Sequence, residues 1–428
     1  MEMKNVKGSY DYGTQEERVR AYIRNTLTKV FVKYGYQGIE TPIINYYDLM
    51  ALKYNDDAEI LNEVYKLSDQ GGRKLALRYD LTVPFAKYIA MNKDLVLPFK
   101  RFEIGNVFRD GPVKVGRNRE FIQCDVDVVG IDNRLIEAEL MSLYIEGYKA
   151  LDIEVTLKYN NRKIMQGMIE ECGIESEKVS DVITVIDKFD KLSDQEIKIE
   201  FTNIGLDSDT INKLLEVFKL DFEGIKFKYG NSDNVNLIEG IEEIDELNTY
   251  IDKLGLRDVS TFSAVLARGQ SYYTGVVFEV YEKNGIISSA IGGGGRYDNL
   301  ITDFIDDGNK YPAVGVSFGL DVIYTIIKDR EEFKKKSLID LYIIPLDTEL
   351  ESLRIANKLR EMGYNIEIDS SKRKIGKAIN FADKSNIENV LILGSDEVLN
   401  KEFSIKNIVT KELIKVKYDD ELNFKIVS

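Results

Sequence analysis

The chain has 428 residues, 44% hydrophobic and 31% charged, the balance of a folded globular protein with room for two or three domains. Its net charge of −15 gives no global attraction for nucleic acid, so any such contact must use a local basic patch; no run of about 18 apolar residues offers a membrane span. There is no histidine, which excludes histidine bases, triads and metal ligands, and the two cysteines, Cys124 and Cys172, supply neither a disulfide framework nor a metal cluster, fitting a reducing cytoplasm.

The opening MEMKNVKGSYDYG lacks the apolar core of a secretion signal. Residues 14–34 predict an amphipathic helix, and GYQGIETPIINYYDLM predicts a turn and a short strand carrying Pro42. Residues 63–67 and 74–78 read as strands flanking the turn DQGGR. The run LRYDLTVPFAKYIAM passes from strand to helix and sets Arg78, Asp80 and Thr82 at that edge. An acid and a hydroxyl there either cap the helix or face a ligand.

Residues 98–130 organise the rest. RFEIGNVFR and FIQCDVDVVG both alternate apolar and polar side chains, as half-buried strands do. The loop between them carries two glycines, a proline, Lys114 and Arg117, with Arg109 and Arg119 at the strand ends. Such a hairpin either sets cations above a sheet, where they clamp a polyphosphate, or is an exposed edge with solvated charge. Gln123, Asp125 and Asp127 fall on one strand face, an odd pattern for a core and a natural one for a polar pocket.

Residues 135–151 predict a helix with a Glu-rich face, and EVTLKYNNR a strand. From about 163 to 256 the sequence is helical and acidic, an inserted or appended subdomain. FSAVLARGQSYYTGVVFEVYEKNGIISSAIGGGGRYDNLI predicts two or three strands. Its tetraglycine, residues 292–295, is either a turn that lets backbone approach a ligand or a flexible hairpin tip. VGVSFGLDVIYTII reads as a strand entering a helix, and DREEFKKKS as a linker. Beyond it, DLYIIPL to NVLILGS forms a βαβαβ pattern, predicting a separate α/β domain with a largely parallel sheet. There SKRKIGKAINFADK sets Lys372, Arg373, Lys374 and Lys377 near a helix start, either an RNA-backbone contact or a solvated face.

Taken together these segments resemble class II aminoacyl-tRNA synthetases, specifically the histidyl-tRNA synthetase family, over nearly the whole chain. GYQGIETPI looks like motif 1, which builds a dimer interface, and FKRFEIGNVFRDGPVKVGRNREFIQCDVDVVG like motif 2. LARGQSYYTG and GGGGRYDNL look like the two histidine signatures, and YIIPL to ILGS resembles the anticodon-binding domain. The fold implied is an α+β catalytic domain on an antiparallel class II sheet (residues 1–162 and 257–328), a helical insertion (163–256) and a C-terminal α/β anticodon-binding domain (338–428).

The resemblance also implies roles. Arg109 would hold the α-phosphate and the substrate carboxylate, with Arg268 a second fixed cation at that phosphate. Arg117 and Arg119 would serve ATP, Arg117 at the outer phosphates, and Phe121 would stack under adenine. Asp80, Thr82 and Gln123 would take the α-amino group; Asp127 and Tyr273 would meet the two imidazole nitrogens, with Tyr272 and Tyr297 beside them. Arg296 would support the glycine segment. ATP with Mg²⁺, histidine and tRNA(His) are the implied ligands, with no resident metal, and the protein would be a cytoplasmic homodimer.

Three departures from the family pattern stand out: Gly111 where motif 2 carries an acid, Val322 where motif 3 carries an arginine, and Gln270–Ser271 before the tyrosine pair. They leave a second reading, a histidine-sensing regulatory subunit of ATP phosphoribosyltransferase that no longer activates histidine.

Overall fold

The computed structural model describes residues 2–51, 59–114, 116–189, 192–268, 272–333 and 337–427. The chain forms two compact units, 1–328 and 329–428.

The first unit is built on an eight-stranded sheet. Across it run Gln37–Gly38, Phe99–Phe108, Glu120–Val129, Ala313–Gly319, Gly292–Arg296, Val276–Glu282, Val155–Asn161 and Ser260–Phe262. The inner neighbours pair antiparallel, and only the short edge strands pair parallel. Period-two alternation divides the sheet into two chemically different faces. On one, Phe318 is fully buried between Phe31 of the helix Thr14–Lys33 (5.6 Å between ring centroids) and Tyr144 and Tyr148 of Arg134–Ala150 (4.5 and 5.0 Å). The first of these helices buries Val19, Ile23, Leu27 and Val30 at helical spacing, and at its start the carboxylate of Glu16 accepts the N–H of Gly13 at 2.7 Å. The opposite face of the sheet is polar and holds the site.

The tetraglycine is neither turn nor hairpin tip. It is the strand Gly292–Arg296, hydrogen-bonded on both sides within the sheet. A Cβ at Gly294 would stand 2.1 Å from the carbonyl oxygen of Gly315, so neighbouring backbone leaves no room for a side chain. Arg296, at its end, is 1% exposed and pairs with Glu137 at 2.7 Å and Asp298 at 3.0 Å.

Residues 162–253 contribute helices, four of which begin at Ser193, Asp207, Asp221 and Asn234, each side chain accepting a backbone N–H of its own first turn. The helices Arg162–Glu171 and Val235–Lys253 cross closely at glycines: a Cβ at Gly167 would lie 2.5 Å from Leu237 Cβ, and one at Gly240 2.8 Å from the Ile164 nitrogen. A smaller sheet of Ile44–Tyr46, Lys74–Leu77 and Lys66–Ser68 completes the unit.

The second unit is a six-stranded sheet in the order Ile366–Ile368, Leu341–Pro345, Asn389–Leu393, Glu402–Asn407, Leu413–Tyr418, Phe424–Val427. Its first three strands are parallel, as the βαβαβ pattern predicts, and the helices Glu349–Glu361 and Ile375–Lys384 are their crossovers. The remaining pairings are antiparallel, so the sheet is mixed rather than largely parallel. Charged residues interrupt the alternation after Leu393, which hides these strands in the sequence. Among the described residues of the chain no helix is long and apolar enough to cross a membrane.

Candidate active site

Over the polar face of the large sheet lies a cavity of about 950 Å³. Its floor is the sheet. Gln123, Asp125 and Asp127 stand in register with Gly105, Glu103 and Arg101 on one neighbouring strand and with Gly319, Ser317 and Gly315 on the other. Much of this floor is bare backbone. A Cβ would lie 2.0 Å from Asp127 Oδ1 if placed at Gly315, 2.3 Å from Arg268 Nη1 at Gly293, and 2.9 Å from the Tyr273 ring at Gly295. Side chains at these positions would displace the polar groups that line the cavity.

The floor charges are paired with one exception. Arg78 Nη1 sits 2.7 Å from Glu103 Oε1, and Arg101 Nη2 sits 2.7 Å from Asp127 Oδ2. Tyr297 donates its hydroxyl to Asp127 Oδ1. The Arg101 contact is an ion pair without hydrogen-bond alignment, so Asp127 Oδ2 still has an acceptor position to offer. Gln123 Nε2 donates to Ser317 Oγ at 3.0 Å, while Gln123 Oε1 and Asp125 Oδ1 are buried without a hydrogen-bond partner. Burial and the nearby Asp127 push the Asp125 carboxyl up to about 8, against the pull of Arg101. Burial also raises Asp127, opposed by Arg101 and Tyr297. A buried acceptor left without a donor costs about 1–3 kcal/mol, so this end of the cavity is built for a ligand rich in N–H groups.

Cations gather on the walls. Arg268 adopts φ +59°, a left-handed backbone uncommon for a side chain of its size, and its Nη1 is held 2.8 Å from Glu279 Oε1. Burial alone would lower the arginine's pKa, but Tyr273 and Glu279 outweigh it and raise it, so the positive charge is fixed. Arg109 Nε donates to the Tyr79 carbonyl at 3.0 Å, with its guanidinium 5.2 Å from the Phe121 ring centroid. Arg117 Nη2 is 3.4 Å from Glu63 Oε1. Asp80 caps the helix start, Oδ1 accepting the Val83 N–H at 3.0 Å, and the residue also lines the cavity. Tyr272 meets the Tyr297 ring edge-on, 5.9 Å between centroids.

Asp80, Thr82, Arg109, Arg117, Phe121, Gln123, Asp127, Arg268, Tyr272, Tyr273 and Tyr297 all line this one cavity. Arg119 does not. It pairs with Asp110 at 3.0 Å, donates to the Gly111 carbonyl at 3.1 Å, and gives its backbone N–H to Gly8, bracing the hairpin base. Gln270 and Ser271 lie outside the described residues. In the second unit Lys372 pairs with Glu349 at 2.9 Å, and Arg373 pairs with Asp369 at 3.2 Å while its guanidinium lies 4.3 Å from the Phe381 ring centroid. Lys374 and Lys377 are exposed and, among the described residues, have no acidic partner.

Two of the departures acquire a physical setting. A Cβ at Gly111 would lie 2.5 Å from Glu63 Oε1, so the space where a motif 2 acid would begin already contains a carboxylate. Glu63 is tied there by its carbonyl, which accepts the Asp110 N–H at 2.7 Å. Val322 lies against the tip of the hairpin, 3.6 Å from where a Cβ of Gly116 would be. The preceding Asp321 accepts from Arg20 Nη1 at 2.6 Å, Tyr12 at 2.8 Å and the Ile122 N–H at 2.8 Å, a structural anchor for the hairpin. Arg101, Glu63, Glu279 and Ser317 belong to the site although sequence reasoning gave them no place in it. Only Arg101 had a readable signal, the same two-residue alternation that marks its strand.

The cavity therefore brings N–H acceptors and fixed cations into one enclosure, an arrangement suited to an amino acid beside a polyphosphate. Comparison with known proteins points the same way. A family model described as "Histidyl-tRNA synthetase" matches residues 8–323, and one described as "Anticodon binding domain" matches residues 340–424. A "Histidine--tRNA ligase 1" of Bacillus cereus is 45% identical over 430 residues, 99% of this chain and 100% of that protein. "Histidine--tRNA ligase 2" of Shouchella clausii is 43% identical over 409 residues, 95% of this chain and 96% of that protein. The crystal structure of histidyl-tRNA synthetase from Nostoc sp. PCC 7120 superposes with a TM-score of 0.83 at 27% identity, covering 97% of each chain. The structure described as an ATP phosphoribosyltransferase regulatory subunit/histidyl-tRNA synthetase from Bacillus halodurans C, 21% identical with a TM-score of 0.77, covers 92% of this chain and 98% of its own and shares the fold. With a family model covering most of the chain and relatives alike over their full length, this protein belongs to the histidyl-tRNA synthetase family.

Proposed function

We propose that the chain is a histidine–tRNA ligase, joining histidine to ATP as an adenylate and then passing it to the 3′ end of tRNA(His). The observation that carries this reading is one cavity in which acceptors without a hydrogen-bond donor (Gln123 Oε1, Asp127 Oδ2) lie in the same enclosure as Arg109 and Arg268.

In the first step the histidine carboxylate, already ionised at neutral pH, attacks the α-phosphorus of ATP and pyrophosphate leaves, so no protein base is required. Arg109 and Arg268 stabilise charge on the phosphoryl oxygens, Arg117 takes the outer phosphates, and Phe121 stacks under adenine. Glu63, whose carboxylate occupies the space where a side chain at position 111 would begin, would supply the acid that position 111 lacks. Asp80, Thr82 and Gln123 receive the α-ammonium; Asp127 and Tyr273 receive the imidazole, with Tyr272 and Tyr297 packing the ring. In the second step the terminal ribose hydroxyl of tRNA attacks the adenylate carbonyl, AMP leaves, and a phosphate oxygen takes the proton. Arg119 serves ATP only indirectly, by holding the hairpin.

Among the described residues no group of three His, Cys, Asp or Glu side chains is placed to hold a metal. Mg²⁺ enters with ATP, on its phosphates, as part of the substrate. The protein acts in the cytoplasm as a homodimer through its motif 1 segment, residues 338–428 read the anticodon arm, and residues 163–256 are an insertion in the catalytic domain.

Purified protein is expected to catalyse ATP–pyrophosphate exchange with histidine and with none of the other amino acids. Histidine binding without exchange would overturn the ligase reading. For the RNA contact, reversing the charge of both Lys374 and Lys377 to Glu is expected to raise the KM for tRNA(His) about tenfold and leave exchange unchanged. An unchanged KM would remove these lysines from the interface.

A further inference from the structure

Asp125 is a buried titratable group in the cavity for which the mechanism above has no use. It is 3% exposed, lines the cavity, and lies between Gln123 and Asp127 on the same strand face. The floor beneath the ligand contains two guanidiniums and three carboxylates. Arg78 answers Glu103 at 2.7 Å and Arg101 answers Asp127 at 2.7 Å. Among the described residues no cation pairs with Asp125, whose Oδ1 has no hydrogen-bond partner. The Ser317 hydroxyl, which accepts from Gln123 Nε2 at 3.0 Å, also favours the ionised carboxyl of Asp125. A buried carboxylate in this state is costly unless a cation arrives to complete it. The missing charge is positive and sits next to the free amide oxygen of Gln123.

We infer that Asp125 is a specificity-determining residue, the counter-charge that, with the oxygen of Gln123, selects a substrate carrying a free α-ammonium. The inference rests on the reading of this cavity as a histidine site. Asp80 lines the same cavity but commits Oδ1 to the Val83 N–H at 3.0 Å, whereas Asp125 Oδ1 is buried without a hydrogen-bond donor.

Protonation follows from this geometry. The charged and titratable groups near Asp125 are Asp127 on its own strand, Glu103 and Arg101 on the neighbouring strand, Asp80 at the helix edge, Tyr297, and Tyr144 across the sheet on its apolar face. Burial first, then Asp127 and Asp80, hold the Asp125 carboxyl above the ordinary range, against the pull of Arg101 and Ser317. Below that raised value Asp125 carries a proton that the ammonium must displace, so affinity for histidine rises with pH, by about fivefold from pH 7 to pH 8 for a carboxyl near 8.

The test compares wild type with Asp125→Asn, and with Asp125→Ser should the first variant fold poorly. The ligands are histidine and imidazole-4-propionate, which keeps the ring and the carboxylate but lacks the amine, measured by calorimetry at pH 7 and pH 8. The expected result at pH 8 is a 10- to 100-fold loss of histidine affinity, with less than about a twofold change for the propionate, and loss of the pH-dependent gain. An equal loss for both ligands would make Asp125 merely structural and overturn the inference, as would unchanged histidine affinity. Wild type that binds neither ligand would instead remove the reading of the cavity, a different failure from either of these.

Discussion

Replacing Arg268 with alanine is expected to lower histidine-dependent ATP–pyrophosphate exchange by about 10²- to 10³-fold, the usual cost of removing one preorganised group that stabilises transition-state charge. The reason is positional. The residue adopts φ +59°, its guanidinium is fixed by Glu279 at 2.8 Å, and it stands over Gly293, where even a Cβ would come within 2.3 Å of Nη1. Charge held in this way needs no rearrangement when the pentavalent phosphorus forms. Alanine adopts the left-handed backbone at a cost similar to arginine's, so the melting temperature should change little. It also leaves Glu279 facing the phosphates without its partner, an added repulsion. The double variant Arg268→Ala, Glu279→Gln should therefore recover part of the loss. Exchange in the single variant at the wild-type rate would disprove the role, and a double variant slower than the single one would disprove the repulsion.

Asp127→Ala should cause a larger and less selective loss. Asp127 is bound to Arg101 at 2.7 Å, and Arg101 is completely buried. Removing the carboxylate leaves that guanidinium with Glu103 at 3.7 Å as its nearest ion pair, and breaking one side of a buried pair costs about 3–5 kcal/mol. Histidine binding and stability should fall together, with a melting temperature lower by several degrees. Tyr297→Phe separates the two effects. It removes only the hydroxyl that donates to Asp127 Oδ1 and leaves the Arg101 pair in place. Histidine affinity should then fall with little change in melting temperature. Wild-type thermal stability in Asp127→Ala would mean that the pair with Arg101 contributes nothing to the fold.

These expectations show where the sequence could be read and where it could not. The hairpin of Phe99–Phe108 and Glu120–Val129 was legible because alternation is strict on both strands, and alternation alone puts Gln123, Asp125 and Asp127 on a common face. The tetraglycine was not, because glycine carries no periodic signal and a weak strand preference. Only the backbone on either side, too close for a side chain, decides that it is a strand. Glu63 and Glu279 reach the cavity from segments far apart in the chain, and such meetings leave no local trace. Arg119 differs: its place in a cationic loop suggested phosphate, and in the structure it lies outside the cavity lining and pairs with Asp110, a near neighbour in sequence.

The bare floor of the cavity also affects how this protein can change over generations. At Gly293, Gly295 and Gly315 every alternative amino acid adds at least a methyl group, and the space for one is taken by Arg268, Tyr273 or Asp127. No conservative replacement exists there, in the sense that leucine can stand for isoleucine. Variation that alters what the pocket accepts must therefore come from the surrounding walls, where a shorter or longer side chain has somewhere to go. Drift and selection have unequal freedom within one site: the base is mutationally frozen, and innovation is confined to the rim.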